Sequence, residues 1–227
     1  MKHWKQNVPV QLTVPISCQN VQHFLGYPEQ RSPRPRQAKL IQEAIADART
    51  LVDPRGIYCE LEPERSCDLG LEFGHQTALV AGLVTIGHHL EQQVTSYLER
   101  DLSFKALVLD AAGSAAVEEA ADRLGAFIVQ DDDNPTKSTQ QCRLSPGYGR
   151  FPLEAQKQLF RMLPHQSIGV HLTKEFMMVP QKSISFVLLL GEKEVKTPAG
   201  LSGCRHCGMT RCRYRRQQLS MEMESEE

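Results

Sequence analysis

Long hydrophobic runs and an excess of charge of either sign are absent from this sequence. The 227 residues carry 26 lysines and arginines against 27 aspartates and glutamates, a formal net charge of −1. This balance gives no electrostatic reason to expect nucleic acid or a membrane as a partner of the chain. No apolar run approaches the ~20 residues that a membrane-spanning helix needs. Met1 to Asn7 also lack the continuous apolar segment of a signal peptide.

Common catalytic signatures are absent as well. No Gly-x-Gly-x-x-Gly follows a strand-like segment, which argues against a Rossmann nucleotide fold. No pair of histidines has His-x-x-x-His spacing, and no side chains suggest a proton-transfer pair. The sequence therefore gives no support to a hydrolase.

Cysteine is present in an odd number, seven. Three of the cysteines lie close together near the C-terminus, a pattern that favours reduced thiols or a metal site over the disulfides of a secreted protein. We therefore expect a cytoplasmic protein. The 227 residues, 41% of them hydrophobic, are enough for one domain with a substantial core.

Hydrophobic periodicity predicts a mixture of helices and strands. Apolar residues at helical spacing predict helices at 37–52, 88–98, 104–124 and 153–163, and Ser17 is placed to cap a short helix that ends near Gly26. Strand patterns cover 11–14, 57–61, 79–86, 167–170 and 183–190, although 79–86 also fits a helix. Because strands and helices do not alternate regularly, we expect an α+β fold in which a mainly antiparallel, twisted sheet is flanked by helices.

The segment 143–149, Arg-Leu-Ser-Pro-Gly-Tyr-Gly, is the most informative about function. Proline fixes φ and glycine tolerates positive φ, so Pro146-Gly147 predicts a tight turn that can expose main-chain groups to a ligand. Arg143 can hold a carboxylate or phosphate through two hydrogen bonds, and Tyr148 adds a flat apolar face with a polar tip. An ordinary surface turn uses the same residues, so the segment alone leaves both interpretations open.

A second motif follows this segment. After the predicted helix at 153–163 comes Leu-Thr-Lys-Glu-Phe-Met-Met-Val-Pro-Gln-Lys-Ser-Ile-Ser, residues 172–185. An R-x-x-P-G-Y loop, a short helix and an L-T-x-x-F-x-M-x-P-x-x-S-V-S-like strand entry, in that order, resemble the activation domain of cobalamin-dependent methionine synthase. Leu25-Gly26-Tyr27 and the run from Leu109 to Glu118 are similar to stand-alone relatives of that domain. The resemblance covers roughly residues 20–192.

The resemblance implies that S-adenosylmethionine is the ligand. Its contacts would come from Arg143, Ser145, Gly147 and Tyr148 of the loop and from Glu118 of the preceding helix. Arg143 would pair with the ligand carboxylate, and the main chain of 145–147 would read the adenine edge. Glu119 is adjacent to Glu118, and a glutamate on a helix is more often simply solvated, so the sequence leaves this assignment open. The family also uses an aspartate near its N-terminal end, and residues 1–30 contain none.

The implied activity is reactivation of a cobalamin carried by a partner, either a methionine synthase or a related corrinoid protein. S-adenosylmethionine would supply the methyl group, and a flavodoxin- or ferredoxin-like protein would supply one electron. The domain would contribute position rather than acid–base groups, because methyl donor and cobalt must be in line at short range. The chain would be a component of a methyltransferase, and whether to count it as an enzyme or as a subunit is a matter of definition.

We predict one domain at 1–192 and a cysteine-rich extension at 193–227 that the resemblance does not explain. Cys204, Cys207 and Cys212 form C-x2-C-x4-C, in which thiolates can bind one zinc ion or, with three protein ligands, an iron–sulphur cluster. Plain reduced thiols and a dithiol switch are the other interpretations. The alternative function is therefore a metal- or cluster-containing electron carrier, or an adaptor, acting on a corrinoid protein through these cysteines.

Overall fold

The computed structural model describes residues 8–28, 32–61, 69, 78–130, 140–149 and 151–191. The α-helices in these ranges are α1 (Cys18–Phe24), α2 (Pro35–Leu51), α3 (His89–Glu99), α4 (Ser103–Gln130) and α5 (Gln156–Met162). The strands are β1 (Val10–Gln11), β2 (Arg55–Leu61), β3 (Ala78–Thr85), β4 (Gln140–Leu144), β5 (His171–Leu172), β6 (Met178–Val179) and β7 (Ser183–Gly191).

Five of these strands form one antiparallel sheet. Its order is β1-β2-β3-β7-β4, and every neighbouring pair is antiparallel. β3 and β7 pair along their length, from Ala78↔Leu190 to Thr85↔Ser183, and β4 is an edge strand of the described sheet. β5 and β6 form a separate two-stranded hairpin. The predicted α+β fold with an antiparallel sheet and flanking helices is confirmed.

The sheet buries a different apolar layer on each face, because side chains alternate along a strand. On one face Tyr58, Val84 and Phe186 pack against residues of α1, α2, α3 and α4. On the other face Leu83 and Val187 pack with α5 and its neighbouring segments. α4 contacts β2, β3, β7 and β4 on the first face. Side chains of β4 that point to this face therefore lie next to α4.

Local sequence explains the first two helices. The Ser17 hydroxyl accepts a hydrogen bond from the main-chain N–H of Asn20 and caps α1 as predicted. α2 begins at Pro35, whose fixed φ suits a first helical position. Its buried residues follow helical spacing: Ile41, Ala44, Ile45 and Ala48.

α4 is longer than the periodicity indicated, because it continues past the predicted end at 124 to Gln130. Its buried side chains include many alanines, which let neighbouring helices approach closely. Gly113, the weak point of the predicted helix, is required by packing: a Cβ there would lie 2.7 Å from Leu90 Cδ2 of α3.

The strand predicted at 167–170 is wrong. His165–Ile168 form a 3-10 helix, and Gly169 follows with a φ of 73°. The ring Nδ1 of His165 lies 2.6 Å from the carbonyl oxygen of Val170, which closes the segment on itself. Ile168 and Val170 are nevertheless buried, so their apolar character reflects packing rather than strand pairing.

Candidate ligand site around Arg143

Arg143 lies on the edge strand β4, just before its last residue, and not in the turn that follows. It is paired with Leu188 of β7, which belongs to the apolar layer beneath α4. Paired residues share a face of the sheet, so the Arg143 side chain is directed towards α4. Its guanidinium carbon lies 5.9 Å from the centre of the Phe186 ring.

Gly82 of β3 makes room for that ring. Gly82 is paired with Phe186 across the central strands, and a Cβ at position 82 would collide with the phenylalanine ring. The end of the ring therefore lies over Gly82, and the ring forms an apolar surface next to Arg143. A guanidinium above an aromatic face is also favourable electrostatically.

Two carboxylates of α4 hold the guanidinium. Glu118 Oε2 accepts a hydrogen bond of 2.7 Å from Arg143 Nη2, and Asp122 Oδ1 lies 3.3 Å from the same nitrogen. The Arg143 side chain is 21% exposed, against 30% for Glu118 and 45% for Asp122, so the ion pairs form at a solvent-accessible rim. The structure thus unites Arg143 and Glu118 and adds Asp122, which the sequence analysis missed although it lies one helical turn after Glu118.

The geometry also separates the two adjacent glutamates. Glu119 pairs with Arg123, whose Nε lies 2.8 Å from Glu119 Oε1 on the helix itself. Glu118 is therefore the glutamate that faces Arg143, and Glu119 belongs to an i, i+4 pair of the kind common on solvated helix surfaces.

One donor of Arg143 is unused within the described part of the chain. The Nη1 atom is buried and has no hydrogen-bond partner there. An unsatisfied buried donor costs about 1–3 kcal/mol, and more when the group is charged. A carboxylate can accept two parallel hydrogen bonds from a guanidinium, so an anionic group that reaches Nη1, once the side chains that cover this atom shift, would remove this cost.

The turn after β4 has the predicted Pro-Gly geometry. Gly147 has a φ of 87°, which favours glycine, and its N–H donates to the carbonyl of Phe151. The Tyr148 N–H donates to the carbonyl of Ser145. The turn therefore uses the Gly147 N–H internally, and among the hydrogen bonds between described residues the carbonyls of Pro146 and Gly147 accept none. These two carbonyls are therefore available as main-chain acceptors at the turn.

The side chains of the turn differ in exposure. Ser145 is half-buried and Pro146 is buried, whereas the Tyr148 side chain is 73% exposed. Leu153, at the start of the following helical segment, packs against the turn: a Cβ at Gly147 would lie 3.4 Å from Leu153 Cδ1. The turn is thus packed against the domain through Pro146, and its aromatic side chain, Tyr148, is exposed to solvent.

A cleft of about 470 Å³ lies elsewhere, between the ends of α1, α2 and α4. It is lined by Leu25, Gly26, Tyr27, Pro28, Ser32, Arg34, Gln37, Phe104 and Leu107. The Leu25-Gly26-Tyr27 run that entered the sequence resemblance therefore borders this cleft, and Arg143 does not. The Arg143 site is a shallow rim between α4 and β4.

The predicted metal ligands Cys204, Cys207 and Cys212 lie outside the described residues, so this prediction stays a prediction. Within the ranges that the structure describes, no three histidine, cysteine or acidic side chains are grouped to hold a metal ion. No helix in those ranges is both long and apolar enough to cross a membrane.

The chain is an α+β domain in which Arg143, Glu118 and Asp122 form a charged rim between α4 and β4. Residues 72–196 match the family model described as "Vitamin B12 dependent methionine synthase, activation domain". The match covers more than half of the 227 residues, so the chain belongs to this family. The family expected from the two sequence motifs is confirmed.

A solved structure shows the same fold. The crystal structure of the MetH reactivation domain bound to AdoHcy matches with a TM-score of 0.58, over 84% of this chain and 79% of that chain. Sequence identity is 13%. No curated protein matches the sequence.

Proposed function

We propose that this domain binds S-adenosylmethionine at the rim between α4 and β4. The buried, unpartnered Nη1 of Arg143, beside a nitrogen already held by Glu118, is the observation that carries this proposal. The solved structure with the same fold has AdoHcy, the demethylated form of this ligand, bound to it. The residues present therefore fit the ligand that the family resemblance implies.

The charges of the site match the two ends of an amino acid. The ligand carries an α-carboxylate and an α-ammonium group, and the rim offers a guanidinium and a carboxylate 2.7 Å apart. Arg143 Nη1 donates to the ligand carboxylate, and Glu118 and Asp122 accept from the ammonium group. The partial exposure of Glu118 and Asp122 leaves them accessible to such a group.

The turn at 145–149 contacts the nucleoside end. The carbonyls of Pro146 and Gly147 accept from the amino edge of adenine, and the exposed ring of Tyr148 covers the flat base. Ser145, between Arg143 and the turn, is the remaining contact in this proposal. Position, rather than proton transfer, is what these residues contribute.

The proposed role is reductive methylation of a cobalamin that belongs to a methionine synthase or related corrinoid partner. S-adenosylmethionine would supply the methyl group to the partner's cobalamin and leave as S-adenosylhomocysteine, and a flavodoxin- or ferredoxin-like donor would supply the one electron that the reduction of Co(II) requires. Arg143 and Glu118 fix the amino-acid end, so the sulphonium is held at the solvent-facing rim that a partner can reach.

Calorimetric titration of S-adenosylmethionine into the purified full chain tests the site. Arg143→Ala should weaken binding by roughly 10- to 150-fold, because a hydrogen bond to a charged group contributes about 1.5–3 kcal/mol. Arg123→Ala is the matched control, since Arg123 pairs only with Glu119 among the interactions described here, and it should bind like the wild type. Equal affinities of Arg143→Ala and the wild type would contradict the proposal.

The division of the chain follows from the same proposal. β1 and β2 lie before residue 72, where the family match begins, yet they pair in the same sheet as β3. This supports one domain over 1–192. We also propose that 193–227, which holds the three cysteines, is a separate extension; loss of ligand binding on Cys204→Ser would contradict this.

A further inference from the structure

The cleft between the ends of α1, α2 and α4 is not part of the proposed ligand site. Its volume of about 470 Å³ lies within the range of ordinary binding clefts, roughly 300–1,000 Å³. Arg143 does not border this cleft. An occupant of the cleft would therefore leave the proposed S-adenosylmethionine site open.

Apolar side chains at the start of α4 are exposed beside this cleft. The Phe104 side chain is 41% exposed and that of Leu107 is 57% exposed. Both line the cleft, together with Leu25 and Tyr27 at the end of α1. Apolar side chains that are exposed next to one another mark an interaction surface, whereas single ones do not. The cleft is thus suited to apolar side chains of a binding segment.

The charge around the cleft is positive. Arg34 is the charged member of the described lining, which contains no acidic residue, and the ion pairs between described residues do not include Arg34. The cleft also lies at the N-terminal ends of α2 and α4, which begin at Pro35 and Ser103. Helix N-termini carry a partial positive charge, so a segment with both acidic and apolar side chains fits this surface.

The C-terminal residues 219–227 have this composition, and we call them the acidic segment. Their sequence is Leu-Ser-Met-Glu-Met-Glu-Ser-Glu-Glu. A leucine and two methionines alternate with polar and acidic residues, and the segment contains four glutamates and no lysine or arginine. Methionine is unbranched and adapts to irregular apolar surfaces. The acidic segment lies outside the described residues.

The direction of β7 shows where the chain leaves the sheet. Lys182, just before β7, contacts Asp110 of α4. Further along β7, Arg143 of the neighbouring strand contacts Asp122, which is later in α4. β7 therefore runs along α4 in the same direction and ends at Gly191, towards the C-terminal end of the helix.

The acidic segment can reach the cleft from this end of the sheet. α4 has 28 residues, so its first and last residues are about 40 Å apart at a rise of 1.5 Å per residue. Residues 192–218, which connect β7 to the acidic segment, span up to about 90 Å when extended. The connection is thus longer than the distance along α4 to the cleft.

We propose that the acidic segment docks in the cleft of its own chain. Its methionines pack against Phe104 and Leu107, and its glutamates lie beside Arg34. The first seven residues of the chain are a poorer match, because Lys2 and Lys5 would lie next to Arg34. Since the acidic segment belongs to the same chain, its docking does not depend on protein concentration.

Photo-cross-linking in the full chain tests this assignment. The variant Phe104→p-benzoylphenylalanine is irradiated, and the attached peptide is identified by mass spectrometry. We expect a cross-link to residues 219–227 within one chain. Phe127 is the matched control, because it lies on the same helix with 42% exposure against 41% for Phe104. Since Phe127 is about 35 Å further along α4, the same probe there should not reach the acidic segment.

The other occupants of the cleft would give different products. A cross-link from position 104 to residues 1–7, a cross-link to a second copy of the chain, or no cross-linked peptide would overturn the inference. An equal yield of the 219–227 product from positions 104 and 127 would overturn it as well. Leu107→p-benzoylphenylalanine repeats the test from a more exposed position, should the change at Phe104 unfold the protein.

A change of charge tests the role of Arg34. Arg34→Glu should lower the yield of the 219–227 product about two- to fivefold, the effect of losing one solvent-exposed ion pair. Added salt should lower the yield of the Phe104 probe in the same direction, because it screens exposed charges. Arg49→Glu, in the last turn of α2, is the control and should leave the yield unchanged. Equal yields from the two arginine variants would overturn the inference, since its charge complementarity would then be absent.

Discussion

Arg143 and Lys182 are both cations paired with polar side chains of α4, yet their hydrogen bonding differs. Lys182 donates to Ser114 and is paired with Asp110, and its own main chain is fixed by Glu91 and Ile86. Arg143 is paired with Glu118 and Asp122 through one nitrogen, while its buried Nη1 has no partner among the described residues.

This difference suggests different roles: Lys182 stabilises the fold, whereas Arg143 has a hydrogen-bond donor that a ligand can use. A satisfied buried cation joins the elements around it, and its removal leaves buried groups without partners. A cation with a spare buried donor gains from an added anion. Matched substitutions at the two positions should therefore have opposite consequences for stability and for binding.

The largest effect on stability is expected from Lys182→Met. Methionine keeps the length of the side chain but removes the contacts to Asp110 and Ser114. Breaking a fully buried ion pair costs about 3–5 kcal/mol; since Asp110 is half-exposed, we expect a loss of about 2 kcal/mol in the free energy of unfolding. Chemical denaturation measures this loss. An unchanged denaturation midpoint would mean that the contacts of Lys182 do not stabilise the fold.

A loss of comparable size is expected from Gly82→Ala. The added methyl group would collide with the Phe186 ring, and overpacking of this kind costs about 1–3 kcal/mol. Because that ring is the apolar surface next to Arg143, ligand affinity should fall as well. Gly56 on the neighbouring strand is a control: Gly56→Ala also crowds a side chain, Leu124, but it lies away from Phe186 and should lower stability while affinity is kept.

The smallest effect on stability is expected from Arg143→Met. This change removes an unsatisfied buried donor together with the ion pair, and such exchanges are often close to neutral. We expect the free energy of unfolding to change by less than about 1 kcal/mol, although S-adenosylmethionine binding is lost. A destabilisation as large as that of Lys182→Met would mean that both cations serve the fold.

The sequence predicted the helices and central strands well, because their apolar residues follow helical or strand spacing along whole segments. β4 was not predicted: Gln140, Gln141 and Arg143 are polar, as an edge strand allows. Among Cys142, Arg143 and Leu144, the strand residues whose burial the structure describes, Leu144 alone is buried. The prediction of a strand at 167–170 was wrong because it inferred strand pairing from apolar residues. The segment instead contains a 3-10 helix that ends at Gly169, a residue with positive φ.

The candidate site was partly predictable for a similar reason. Motif order pointed to Arg143 and the turn, and the helix resemblance pointed to Glu118; the structure pairs Arg143 with Glu118, and their contacts with a ligand stay a prediction. Asp122 and Lys182 were missed because their roles depend on which face of α4 meets β4 and the start of β7. That packing is decided by the fold as a whole.

A structure of the domain with S-adenosylhomocysteine bound tests the proposed site most directly. We expect a ligand carboxylate oxygen within about 2.7–3.2 Å of Arg143 Nη1, the range of an N–H···O hydrogen bond, with the adenine at the Pro146-Gly147 turn. A ligand found instead in the cleft beside Tyr27 and Phe104, with Arg143 Nη1 still without a partner, would contradict it.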